Sequence, residues 1–222
     1  EQDPFYVIRC PNVDLIIIDS SLIVDHWGYI DDDTQDALFE KWFVSNDNSP
    51  EPSWLERQLE KSDKTFKVVF MHVPPIVFAG HYTNWTDPDK GRDLSTKRFR
   101  LLDLLAKYDV SLVLSGHQHS YEHNTLNRIG DRHLDRDMHF VVTGGAGSPL
   151  HPGLDADKIA KLESEYRSHG LGVVSQMQYV AYNFCVVRTG SETMSIDVYE
   201  VPDRESAPAE LIDQVIIEGP AR

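Results

Sequence analysis

Three histidines carry the spacing that most invites chemistry in this 222-residue chain. Gly116-His117-Gln118-His119 follows an apolar run at residues 110–114, and His72 follows another at 67–71, 45 residues upstream of His117. Imidazole is the commonest metal ligand, and the carboxyl ends of buried strands are where ligands bind in open α/β sheets. Two histidines one residue apart in an extended segment point to opposite sides, which suits two neighbouring cations better than one. Gly116 lets the backbone turn sharply and approach those ions. A Gly-His-x-His string also occurs in surface turns, and His72 alone would more often be a hydrogen-bonded structural residue. Together the three favour ligation. The run His72-Val73-Pro74-Pro75 is stiff, because proline restricts its own φ and the residue before it, and a metal ligand needs such a support.

Strands and crossovers are needed to bring these residues together. Residues 5–10 and 15–20 read as strands, the second apolar enough to be buried on both faces. Asp31, Asp32 and Asp33 read as the solvated start of a helix over 34–43, with a cation site as the alternative. Ser53 and Glu56 form a capping box for a helix over 54–61. The buried strands at 67–71 and 110–114 flank a long loop and a helix from Ser95 to 108, with Phe99, Leu102, Leu105 and Ala106 on one face. After Tyr121 come a polar segment, a strand at 138–143, the turn Gly144-Gly145-Ala146-Gly147 and a helix at 155–168. A β-hairpin over 179–188 and 193–201 completes the reading. The alternation predicts a layered α/β domain without repeats or interdomain linker.

With 21 Lys and Arg against 36 Asp and Glu, the net charge is −15, which argues against binding a nucleic-acid duplex. A phosphate substrate stays compatible, because bound cations reverse the potential inside a cleft. Apolar runs reach about four residues, far from the ~20 of a membrane span. Cys10 and Cys185, the only cysteines, read as buried free thiols or as one disulfide, and do not fix the compartment. The opening Glu1-Gln2-Asp3-Pro4 points to an upstream segment that has been removed or left out.

Phe70-Met71-His72-Val73-Pro74, followed by Leu114-Ser115-Gly116-His117-Gln118-His119-Ser120-Tyr121-Glu122, resembles the last two motifs of calcineurin-like metallophosphoesterases. The Gly-His-x-His-x-Tyr-Glu run is most similar to the purple acid phosphatase branch, and the likeness includes the turn at 144–147. The resemblance implies a layered α-β-β-α sandwich of which residues 1–222 are the carboxyl-terminal half, and an acid-phosphatase-like hydrolase acting through two metal ions. By position, His72 and His117 would bind the second, divalent metal and His119 the first, ferric iron in that branch; the implied pair is iron with zinc, manganese or iron. His81, nine residues after His72, stands where plant members of the branch place a substrate-facing histidine that binds phosphate or protonates the leaving oxygen. An ordinary exposed histidine is the alternative. His123 replaces the usual arginine and reads as lying behind the ligands or at the surface. His26, His133, His139, His151 and His169 lack ligand spacing and read as structural. Asp131-Arg132-His133 imitates the family's Asp-x-His motif, but no buried strand is expected before it.

In the resembled family the bridging carboxylate, further aspartates and an Asn-His pair come from upstream of the strand at 15–19. The 14 residues before Leu15 contain none of those motifs. The expected partners are therefore a phosphate ester and an amino-terminal half, present as a cleaved fragment or a separate chain. The alternative is a catalytically silent scaffold or binding module of the same fold. No Gly-rich Walker or dinucleotide loop is present. Asn84-Trp85-Thr86 fits the N-glycosylation sequon, which points to a secreted, periplasmic or vacuolar protein.

Overall fold

The computed structural model describes residues 5–24, 30–46, 49–85, 94–202 and 207–220. Three apolar strands form the parallel centre of a sheet: β2 (Val13–Ile17), β3 (Phe66–Met71) and β4 (Leu112–Ser115), with Leu15 opposite Val68 and Val68 opposite Leu112. β1 (Tyr6–Arg9) closes one side antiparallel to β2. On the other side β6 (Arg132–Thr143) runs parallel to β4, and β5 (Tyr121–Ile129) pairs antiparallel with β6 and with β7 (Leu171–Tyr179). The strand order is β1-β2-β3-β4-β6-β5-β7.

Each face of that sheet has its own cover. On one side lie α1 (Asp32–Trp42), α2 (Trp54–Glu60), α3 (Ser95–Lys107) and α4 (Ala156–Ser168), where Phe39, Leu55, Leu101 and Leu162 join Ile16, Val69 and Val113 in one core. On the other, Phe66, Val68, Leu112 and Leu114 meet Ile196, Val198 and Val215 from a three-stranded antiparallel sheet. That sheet is ordered β10 (Glu210–Glu218), β9 (Thr193–Glu200), β8 (Asn183–Thr189). Pleating explains the division: Val113 faces the helices while Leu112 and Leu114 face the second sheet. Each side chain so buried contributes roughly 1.5–3 kcal/mol. The result is the helix, sheet and sheet layering of the expected sandwich.

Several local readings are refined. Asp31 caps α1 by accepting from Thr34 N at 2.9 Å, with Asp32 and Asp33 in the first turn, so the acidic triplet is a helix start. Ser53 Oγ accepts from Glu56 N at 3.1 Å, but the Glu56 carboxylate takes Ser45 Oγ at 2.7 Å, leaving half a capping box. The polar segment after Tyr121 is the strand β5, and β7 and β10 were likewise not expected. β5 hides its identity because its polar side chains find polar partners: Asn124 Nδ2 donates to Glu122 Oε2 at 3.1 Å, and His123 meets His139 of β6 at 3.0 Å. In β10 a bulge between Leu211 and Asp213 breaks the two-residue period. Cys10 and Cys185 are free, half-buried thiols.

The second sheet leaves part of the first uncovered. β8 is its edge, with Phe184 42% and Val187 38% exposed. Between β8 and the carboxyl ends of β2, β3 and β4 runs an open apolar groove of about 810 Å³, lined by Ile17, Phe70, Leu114 and Phe184 and ending at His72.

Candidate metal centre

The parallel register puts the ends of β3 and β4 side by side, and the loops that follow are tied together. Gly116 N donates to the His72 carbonyl at 3.2 Å. Val73 N donates to Ser20 Oγ at 2.8 Å, and Trp85 Nε1 to the Pro74 carbonyl at 2.9 Å. The histidine segment is not extended: His117 itself adopts the left-handed conformation, φ 65°. That departs from the expectation that Gly116 makes the turn; a Cβ on Gly116 would meet His72 Nδ1 at an ordinary 3.6 Å. Sterics demand a glycine at Gly144 instead, where a Cβ would lie 2.0 Å from the carbonyl oxygen of Gln118, the residue between the two histidines. The turn at 144–147 thus braces the ligand loop from behind.

Five imidazoles form an arc at this edge. Ring centroids are 5.0 Å apart for His72 and His117, 4.1 Å for His117 and His81, 5.1 Å for His81 and His151, and 4.2 Å for His151 and His119. His72, His81, His117 and His119 are therefore brought together as expected. His151, read as structural, joins them. It sits 32 residues beyond His119, a separation that carries no ligand pattern and is closed only by the return of β6 beside β4. Desolvation, and then the neighbouring His119, push the His151 imidazole below its usual pKa.

The hydrogen bonds fix which nitrogen atoms remain available. His119 Nδ1 donates to the Pro149 carbonyl at 2.9 Å, which leaves its Nε2 lone pair free. Asn84 Nδ2, a donor only, meets His117 Nε2 at 2.8 Å, so His117 Nδ1 carries the proton toward His72 Nε2, 3.2 Å away. The lone pairs of His72 and His117 are thus aimed at donors that a cation would replace. Among the described residues, no group of three or more His, Cys, Asp or Glu is placed to hold a single ion. The imidazoles supply donors of a type that metals accept, but by themselves fall short of the roughly four protein or water ligands that even a zinc site needs.

The loop carrying His81 is pinned by three groups that no spacing revealed. Glu122 Oε2 accepts from Phe78 N at 2.8 Å, Gln178 Nε2 donates to the Phe78 carbonyl at 2.7 Å, and Tyr166 OH bonds both Val77 N at 3.1 Å and the Val77 carbonyl at 2.9 Å. Burial drives the Glu122 carboxyl up to about 7, against the two hydrogen bonds that favour its charged form. The remaining histidines lie elsewhere. His123 stacks on His139 between the sheets, near Asp213. His133 sits beside the β5–β6 turn at Gly130, at the end of that hairpin remote from the Tyr121–Thr143 pair; a strand does precede Asp131, contrary to expectation, but it leads away from the arc. His169 caps α4. His26 and the Thr86 of the sequon lie outside the described residues, and the Asn84 amide is directed at His117, where a glycan would remove that contact.

The family model of the calcineurin-like phosphoesterases matches residues 6–121, just over half of the chain, from β1 through the histidine loop. The chain belongs to this family. Within the calcineurin-like phosphoesterases it is 34% identical over 112 residues to a probable glycerophosphodiester phosphodiesterase, GpdQ, of Arcobacter nitrofigilis, covering 50% of this chain and 34% of that protein. It thus spans about a third of the curated relative's length. Similar solved structures include purple acid phosphatase PPD1 from yellow lupin (Lupinus luteus) seeds, with TM-score 0.60 and 15% identity over 96% of this chain and 32% of that one. The Plasmodium protein GAP50, described as the anchor in the inner membrane complex, gives TM-score 0.57 and 17% identity over 98% and 54%. PhoD gives 0.58 and 12% over 99% and 42%. At these identities the structures establish the shared fold.

Proposed function

We propose that this chain supplies the histidine side of a binuclear centre that hydrolyses phosphate esters as acid phosphatases do. The supporting observation is the arc itself: imidazoles following the adjacent ends of β3 and β4, with His72 against His117 and with His119 Nδ1 anchored on the Pro149 carbonyl so that its Nε2 keeps a lone pair. His72 and His117 would hold one metal and His119 the other, iron with zinc, manganese or iron. Bound there, such a pair would acidify a shared water and neutralise phosphoryl oxygens. His81, adjoining His117, would hydrogen-bond the phosphoryl group or protonate the leaving oxygen. The carboxylates would come from a polypeptide segment outside this chain, and the groove beside β8 supports that assignment. An unpaired strand edge next to an apolar floor suits an added strand. The compartment we propose is secreted, periplasmic or vacuolar.

The test is metal analysis and aryl phosphate turnover on protein expressed from its full reading frame. About two metals per chain are expected, with turnover abolished in His117→Ala. A metal-free, inactive product would overturn the reading. It would favour a silent scaffold, for which the incomplete donor set among the described residues is the specific support.

A further inference from the structure

We propose that His151 is a second substrate-binding imidazole, whose Nε2–H donates to an oxygen of a phosphate monoester or orthophosphate held inside the arc. The inference rests on the phosphoesterase reading and extends it to a residue outside the ligand set. Its basis is a reciprocal clamp. His151 N donates to the His119 carbonyl at 2.9 Å, while His119 N donates to His151 Nδ1 at 3.2 Å. A ring whose Nδ1 accepts a peptide N–H has no proton there, so the neutral imidazole carries it on Nε2. His151 therefore presents a donor, where His119 presents a lone pair. Two stacked rings with opposite hydrogen-bonding character stand side by side at 4.2 Å.

The placement matches the role. Along the arc the order is His72, His117, His81, His151, His119, so the metal-holding imidazoles stand at the ends and the two remaining rings bridge them. The same short segment orients both members of the clamp, since the carbonyl of Pro149 fixes His119 Nδ1. A tetrahedral oxyanion offers acceptors in several directions, and charge-assisted hydrogen bonds from fixed donors are the strong ones. His81 would serve one oxygen and His151 another. No proton leaves His151 in this role; it binds and orients.

Two variants separate the nitrogens. Asn can imitate Nδ1 and keep the clamp, whereas Gln reaches the Nε2 position with an N–H. In calorimetric titration of inorganic phosphate into protein expressed from its full reading frame with zinc present, His151→Asn should weaken binding about tenfold and His151→Gln by about twofold or less. In ¹⁵N-histidine NMR, phosphate should shift the His151 Nε2 resonance, which a purely structural ring would not show. Equal affinity of the wild type and His151→Asn, equal losses in both variants, or no phosphate binding by the wild type would each overturn the proposal. The broader reading fails separately. Phosphate binding that depends on His151, in a full-length protein without ester hydrolysis, would refute hydrolysis and leave the donor in place. Hydrolysis alongside unchanged phosphate affinity in His151→Asn would do the reverse.

Discussion

At the scale of single residues, the backbone of His117 holds energy that glycine would not. A non-glycine residue in the left-handed region costs about 1–2 kcal/mol, and such strain gathers where side-chain direction matters. His117→Gly is expected to raise the urea midpoint while losing zinc affinity, a pairing that a merely structural histidine would not give. Two buried groups set opposing pH slopes. Glu122 is raised from 4.5 to about 7, so its contribution is complete below pH 4.5 and is lost as pH rises through 7. That shift of 7 − 4.5 = 2.5 units corresponds to roughly 3 kcal/mol. His139 is lowered from 6.5 to about 4 by burial first and then by His123 and Arg136, so its contribution is complete above pH 6.5 and is lost as pH falls to 4. In Glu122→Gln the first slope disappears. Urea unfolding from pH 4.5 to 7.5 should then show the stability maximum moved to higher pH; an unmoved maximum would show that folding does not raise the Glu122 pKa.

At the scale of elements, α4 reaches across 89 residues of sequence to hold the His81 loop through Tyr166. Tyr166→Phe keeps the ring packing on Phe78 but leaves a buried peptide N–H and carbonyl unpaired, a loss of about 1–3 kcal/mol. Thermal unfolding measures the loss, and the His81 ring resonance should broaden as its loop gains freedom. The elements legible in the sequence were those with strong periodic signals: the apolar runs that became β2, β3 and β4, and the amphipathic faces of α3 and α4. β5 and β10 were obscured because lateral polar pairing and a bulge erase the alternation that identifies a strand. His72, His117 and His119 were legible because each follows closely on a buried strand. His151 was not, because only the pairing of β6 with β4, and the loop after it, sets its distance from His119. The left-handed turn falls on His117 and not on Gly116, since composition says which residue tolerates such a turn more readily than which one makes it.

At the scale of the whole molecule, charge and exposed backbone act against each other. At neutral pH a net charge of −15 keeps copies apart, while β8 stands at the edge of its sheet with Phe184 and Val187 exposed beside it. Protonating carboxylates toward the isoelectric point near 4.9 removes the mutual repulsion and leaves the adhesive strip intact. Light scattering of the isolated chain should therefore peak close to pH 5 and rise with ionic strength at pH 7. A lysine at Val187 should suppress both effects, and scattering indifferent to that change would place the adhesive surface elsewhere. An open edge of this kind makes colloidal behaviour a gauge of its occupancy: material in which another strand or chain covers β8 should pass through its isoelectric point without clouding.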